Sequence, residues 1–211
     1  LAGKPSMMNP EGGVAMTGHN HDGGSGQMAE MKVEVKKTTI DQQAKDALKP
    51  IYANYLRLKD ALVKSDFNAA KEAASMLKTS VNNVNMALFK EDAHNTWMTL
   101  SANFKSSLKH VNHWSDIEAV RTAFIPISNT LISLTKAFNP NPEKIYVQYC
   151  PMAANNTGAS WISTEEEIRN PYFGDAMLTC GNVEEELAAS VKSSSIKSDK
   201  PKPKSPKTSA M

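Results

Sequence analysis

Between residues 40 and 138 the apolar side chains recur at intervals of three and four, with little chain to spare between successive runs. That spacing lines one face of an α-helix, and short connections bring consecutive helices back beside one another. The first stripe is Ala44, Leu48, Ile51, Tyr52, Tyr55, Leu56 and Leu62. Pro50 interrupts it, so the helix is expected either to kink there or to begin there. Ser65-Asp66 caps a second helix with Phe67, Ala70, Ala74, Leu77, Val81, Val84 and Leu88 inward. A third is expected from about Glu91 to Val111, on Trp97, Leu100, Phe104, Leu108 and Val111. The fourth follows a Ser115–Glu118 capping-box spacing and carries Ile117, Val120, Phe124, Ile127, Leu131, Leu134 and Phe138. Pro126 should kink it, and Asn139-Pro140-Asn141-Pro142 should end it. The expected fold class is mainly α, an antiparallel up-down helical bundle of about four helices over 40–139.

After Pro142 the chain changes character. Ile145–Tyr149 is rich in branched and aromatic residues and reads as a short strand leading into Cys150-Pro151-Met152. Asn155, Asn156 and Gly158 mark a turn. Ser163 and Glu166 have capping-box spacing, so a short helix is expected over 164–169, stopped by Asn170-Pro171, and a last polar helix over 183–191. Residues 143–191 thus form a small strand, loop and short-helix segment, and the folded body covers 40–191. Residues 1–39, rich in Gly, Met and His, read as a flexible linker, and 192–211 as a disordered Lys/Pro/Ser tail. The opening LAGKPSMMNP has no start methionine, basic n-region or apolar h-region. It is expected to follow a removed leader or to begin a piece of a longer protein. No apolar run is long enough to cross a bilayer. With 24 basic and 22 acidic residues the net charge is +2, which argues against nucleic-acid binding by bulk charge.

The chemistry-bearing residues are sulfur-rich: 11 methionines and 2 cysteines, with 5 histidines. Each cysteine has a methionine close by, as Cys150-x-Met152 and Met177-x-x-Cys180. Residues two apart in a strand, or three apart in a turn or helix, face the same side. The two pairs together would converge four sulfurs, soft donors matched to Cu(I) or Ag(I). The other reading is a Cys150–Cys180 disulfide with Met152 and Met177 as packing. His94 and Met98 lie four apart on one face of the third helix and are candidates to complete a soft-metal site. Met7, Met8, Met16, His19 and His21 read either as an accidental linker composition or as a weak metal-gathering arm, whose histidines also suit Cu(II) or Zn(II). No nucleophile-elbow, zincin or phosphate-loop motif is present, so no enzyme is expected.

Several of these stretches resemble a known family. Tyr149-Cys-Pro-Met-Ala153, Trp161-Ile-Ser163, Ile168-Arg-Asn-Pro-Tyr-Phe-Gly174 and Met177-Leu-Thr-Cys-Gly181 resemble the closing signature of the bacterial domain of unknown function 3347. The likeness extends through His94-Asn-Thr-Trp-Met98 and spans about 40–187. Its members occur alone or fused to the C-terminus of copper/silver efflux adaptors, membrane-fusion subunits of the resistance-nodulation-division type. Leu1–Pro10 and Gly18–His21 are similar to the end of such an adaptor. The resemblance implies a periplasmic location, efflux pump or adaptor subunits and a metallochaperone as partners, and a role in capturing, sensing or handing over Cu(I) or Ag(I). The alternative from a different class is a structural or docking domain stapled by a Cys150–Cys180 disulfide.

Overall fold

The computed structural model describes residues 37–189. Most of the expected linker and the expected tail lie outside the described residues, and with them Met7, Met8, Met16, His19 and His21. The protein is mainly helical, with a small three-stranded antiparallel sheet at its C-terminal end. The helices are α1 (Gln42–Val63), α2 (Phe67–Asn83), α3 (Glu91–Ser107) and α4 (Ile117–Phe138). Aspartates start three of them: the Asp41, Asp66 and Asp116 carboxylates accept the N–H of Ala44, Ala69 and Ala119 at 2.8–3.0 Å. In the last case Asp116 takes the capping role expected of Ser115, and Glu118 pairs with Arg121 instead. Asn139, in the left-handed conformation, closes α4.

Neither proline ends a helix. Both α1 and α4 run past theirs, and Pro50 and Pro126 sit on exposed faces where water can satisfy the carbonyl that lacks an N–H. The third helix stops at Ser107, short of Val111, which is buried instead by a 3₁₀ turn at Val111–His113. The helices share one core with α1 against α2 and α3 against α4. Trp97 stacks on Phe89, and Phe89 packs on Phe138. Tyr55 stacks on Phe124 at 5.1 Å.

The strands are β1 (Ile145–Cys150), β2 (Ala159–Ser163) and β3 (Asn182–Leu187), in the order β2-β1-β3. Two expected helices are absent. Over 164–169 the chain bends, because the Ser163 hydroxyl accepts the Glu165 N–H and the buried Gln148 amide draws in the carbonyls of Glu165, Glu166 and Glu167. Residues 183–187 are strand: Val183, Glu185 and Leu187 are half-buried while Asn182, Glu184 and Glu186 are exposed, a period of two. Ion pairs Lys136–Glu185 and Lys144–Glu186 tie this edge strand down. The edge of β1 thus overrides the helix preference of Glu-Glu-Glu-Leu.

β2 packs on α4, and the join is polar as well as apolar. The Tyr55 hydroxyl accepts the Ile162 N–H at 3.0 Å and lies 2.8 Å from the Ser128 hydroxyl. Tyr52 meets Thr135, whose hydroxyl also donates to the Leu131 carbonyl. Burial pushes both phenols well above the ordinary tyrosine range. Tyr55→Phe orphans a buried strand N–H and should lower the unfolding free energy in urea by about 1–3 kcal/mol at unchanged m-value. Tyr52→Phe orphans no backbone group and should cost less. Equal losses would show that the Ile162 bond adds nothing.

A candidate thiol centre

The two cysteines, 30 residues apart in sequence, meet at the end of the sheet. Their sulfurs are 3.2 Å apart, and both are free thiols. Cys150 is the last residue of β1, opposite Ala159, and has no exposed surface. Alternation puts it on the same face as Gln148, whose cross-strand partner is Trp161. On the other edge Tyr149 pairs with Asn182, so one further step along the ladder brings the chain at Gly181 beside Cys150. Gly181 has φ +140°, and a Cβ there would lie 2.7 Å from the Tyr149 carbonyl oxygen and 3.1 Å from the Trp161 ring. Only glycine lets the backbone come this close to β1.

Cys180 is half-buried and follows a 3₁₀ turn at Gly174–Met177. Its N–H donates to the Met177 carbonyl, closing a turn between the two sulfur residues. The residue that fixes this turn is Asn170, fully buried and bonded through all its polar groups. Its Nδ2 donates to the Cys180 carbonyl at 2.8 Å, and its Oδ1 accepts the Tyr172 N–H at 2.8 Å. Its own N–H donates to the Leu178 carbonyl, and its carbonyl accepts from Gly174. The following residues dock this segment on the helices. Arg121 donates to the Pro171 carbonyl and to the Ser65 hydroxyl. Tyr172 packs between Phe124 and Trp161, and its hydroxyl donates to the Ser160 carbonyl.

The other sulfur and nitrogen candidates are placed differently. The strand ends at Cys150, so the same-side argument does not carry to Met152, which begins a turn and is 46% exposed. Beyond it Ala154, Asn155 and Asn156 all have positive φ, a conformation that costs alanine about 1–2 kcal/mol. Met177 is half-buried one turn before Cys180. His94 and Met98 lie on α3, half-buried and 44% exposed respectively. Among the described residues no three His, Cys, Asp or Glu side chains gather as a metal group. Asn170, Gln148 and Arg121 were not singled out from the sequence. Their only signal was a polar residue at an inward strand position and an Asn-Pro pair read as a helix stop.

Hydrogen bonding to Cys150, then burial and the partner's charge, raise the Cys180 thiol above its ordinary value. Nearby, the Trp161 Nε1 and the Gln148 Oε1 are buried without hydrogen-bond partners, an opposed donor and acceptor on the face that Cys150 shares. The arrangement offers two soft donors in contact, one sealed and one open to solvent. It suits either coordination of a soft cation or closure to a disulfide.

A family model described as "Protein of unknown function (DUF3347)" matches residues 51–143. It covers the helical part from within α1 onward and supports the family resemblance there, while both cysteines lie beyond the matched span. No curated protein and no solved structure matches the chain.

Asn170→Ala removes one bond to the Cys180 carbonyl and one from the Tyr172 N–H. It should destabilise the protein by about 1–3 kcal/mol per orphaned group. With the turn released, the Cys180 thiol should fall back toward the ordinary cysteine value near 8.5. The pH dependence of Cys180 alkylation reads this directly. An unchanged profile would mean that another contact holds the turn.

Proposed function

We propose that this protein is a soft-metal-binding module, with Cu(I) or Ag(I) as its cargo and the Cys150–Cys180 thiol pair as its primary donors. The observation that carries the reading is the 3.2 Å approach of two free thiols built from separate parts of the chain. Thiolates are soft donors, and a half-exposed Cys180 leaves the pair open to an incoming ion or a competing ligand. Met177, one turn from Cys180, and the exposed Met152 are the thioethers nearest in sequence to add to it. His94 and Met98 on α3 are the candidate imidazole and thioether donors from the helices. The resemblance to domains of copper and silver efflux adaptors supports a periplasmic setting, with adaptor or pump subunits and a metallochaperone as exchange partners. The helices, as an up-down bundle, form the scaffold on which the sheet presents the thiols. Zn(II) or Cu(II) is a weaker match to this donor set.

A second reading has its own support in the same distance. Closing 3.2 Å to a disulfide length of 2.03–2.05 Å needs a movement of only about 1.2 Å. In that state the domain would be a stapled structural or docking unit.

Cu(I) titration of the reduced full chain against a competing chelator distinguishes the two. Tight uptake is expected, and Cys150→Ser with Cys180→Ser should weaken it by more than roughly 100-fold, beyond what loss of a supporting residue costs. Unchanged affinity in the double variant would overturn the metal site. Protein isolated without reductant that has no free thiols and takes up Cu(I) only after reduction would favour the stapled domain. Binding displaces thiol protons, and the Cys180 thiol is raised. Apparent affinity should therefore keep increasing with pH through and above the ordinary thiol range. A flat profile would exclude Cys180 as a donor.

A further inference from the structure

The two thiols touch but are not equally reachable. Cys150 has no exposed surface, at the end of the central strand between two flanking strands. Cys180 is half-buried on the turn beside it, and among the described residues the hydrogen-bond partner of its sulfur is Cys150. The backbone behind Cys180 is held at its carbonyl by Asn170 and at its N–H by the Met177 carbonyl. A molecule arriving from solvent therefore meets Cys180 before it can meet Cys150.

We propose that the pair is an ordered thiol–disulfide exchange centre for small-molecule disulfides, in which Cys180 reacts first and Cys150 closes the internal bond. The proposal rests on the unequal access of the two thiols and does not depend on metal uptake. In the first step the Cys180 thiolate attacks one sulfur of the external disulfide. A Cys180 mixed disulfide forms, and one small-molecule thiolate leaves. In the second step the Cys150 thiolate attacks the Cys180 sulfur from contact distance. The Cys150–Cys180 bond forms, and the second small-molecule thiolate leaves. The two protons lost by the cysteines are taken up by the two departing thiolates. The protein dithiol is oxidised by two electrons, and the external disulfide is reduced to two thiols.

The order follows from geometry at both steps. Attack at Cys150 first would bring a bulky disulfide into a position with no exposed surface. Once Cys180 carries the adduct, Cys150 is already in place 3.2 Å from the sulfur it must attack, so the mixed disulfide is short-lived. Oxidation consumes both thiolates, so a chain in this state cannot hold a soft cation on the pair. Exchange and metal uptake compete for the same two atoms.

The test uses the reduced full chain without metal and oxidised glutathione as the probe, followed by intact mass and peptide mapping. Cys150→Ser should accumulate one glutathione adduct, on Cys180. Cys180→Ser should gain its adduct on Cys150 at least roughly tenfold more slowly, as expected of a sealed thiol. The natural chain should pass to the internal disulfide without a lasting adduct. As an independent reading, limiting iodoacetamide should label Cys180 first in the natural chain, and labelling should become equal in denaturant. Should Cys180→Ser lose its fold by circular dichroism, this labelling order decides the question. Cys150 labelled first, or a glutathione adduct that persists in the natural chain, overturns the proposal. Because no metal is present, failure here is separable from failure of the Cu(I) titration.

Discussion

The position of the second thiol hangs on one buried amide. Eighteen residues separate Ser163 from Asn182, and apart from one 3₁₀ turn they contain no regular structure. A connection of that length is normally mobile on the surface unless something else orders it. Asn170 is that element. It sits mid-loop, and its side chain and backbone together bond four points of the loop, from Tyr172 to Cys180. A buried amide satisfied in this way specifies one arrangement, because every alternative leaves polar groups unpaired in the interior. Gln148 does the same for the opening of the loop, where one side-chain NH2 group collects three successive carbonyls. Two amides thus shape a segment that apolar packing alone would leave loose.

The helical part was legible because burial in a helix leaves a periodic trace. Leu48, Ile51, Tyr55, Leu77, Phe104, Phe124 and Leu131, each on an expected stripe, are all fully buried. Of the two outcomes that Pro50 allows, a helix beginning at the proline is excluded, because α1 begins at Gln42. A proline removes one N–H, but its cost depends on whether the orphaned carbonyl faces water, which spacing does not disclose. The C-terminal segment was less legible because its elements are defined by partners rather than by local pattern. Val183-Glu-Glu-Glu-Leu187 has the composition of a helix and becomes a strand only because β1 offers an edge and two lysines offer charge.

The candidate site shows the same division. Two cysteines were expected to converge, and the register of β1 with β3 brings them together. The spacing of two places Met152 beside Cys150 only in a continuing strand, and the spacing of three places Met177 beside Cys180 in a turn, which is present. The strand does not continue past Cys150, where Pro151 ends it and turns the chain. Asn170 carries no trace of its role in a single sequence, since an asparagine before a proline is an ordinary turn signal. What marks it is the set of groups it meets after folding.

The bond between Tyr55 and Ile162 spans 107 residues. It joins the first helix of the described chain to the sheet that carries the thiols. Loop-closure entropy makes contacts of such separation late events in folding. Until the β1–β3 ladder and the Asn170-held turn form as well, nothing brings Cys150 and Cys180 together across the 30 residues between them, and each is as accessible as the other. Their inequality, one sealed and one open, is then a property that the polypeptide acquires only at completion. Partial folds that lack this strand pairing and turn would present both sulfurs alike to any oxidant, so discrimination between them is a mark of the finished molecule.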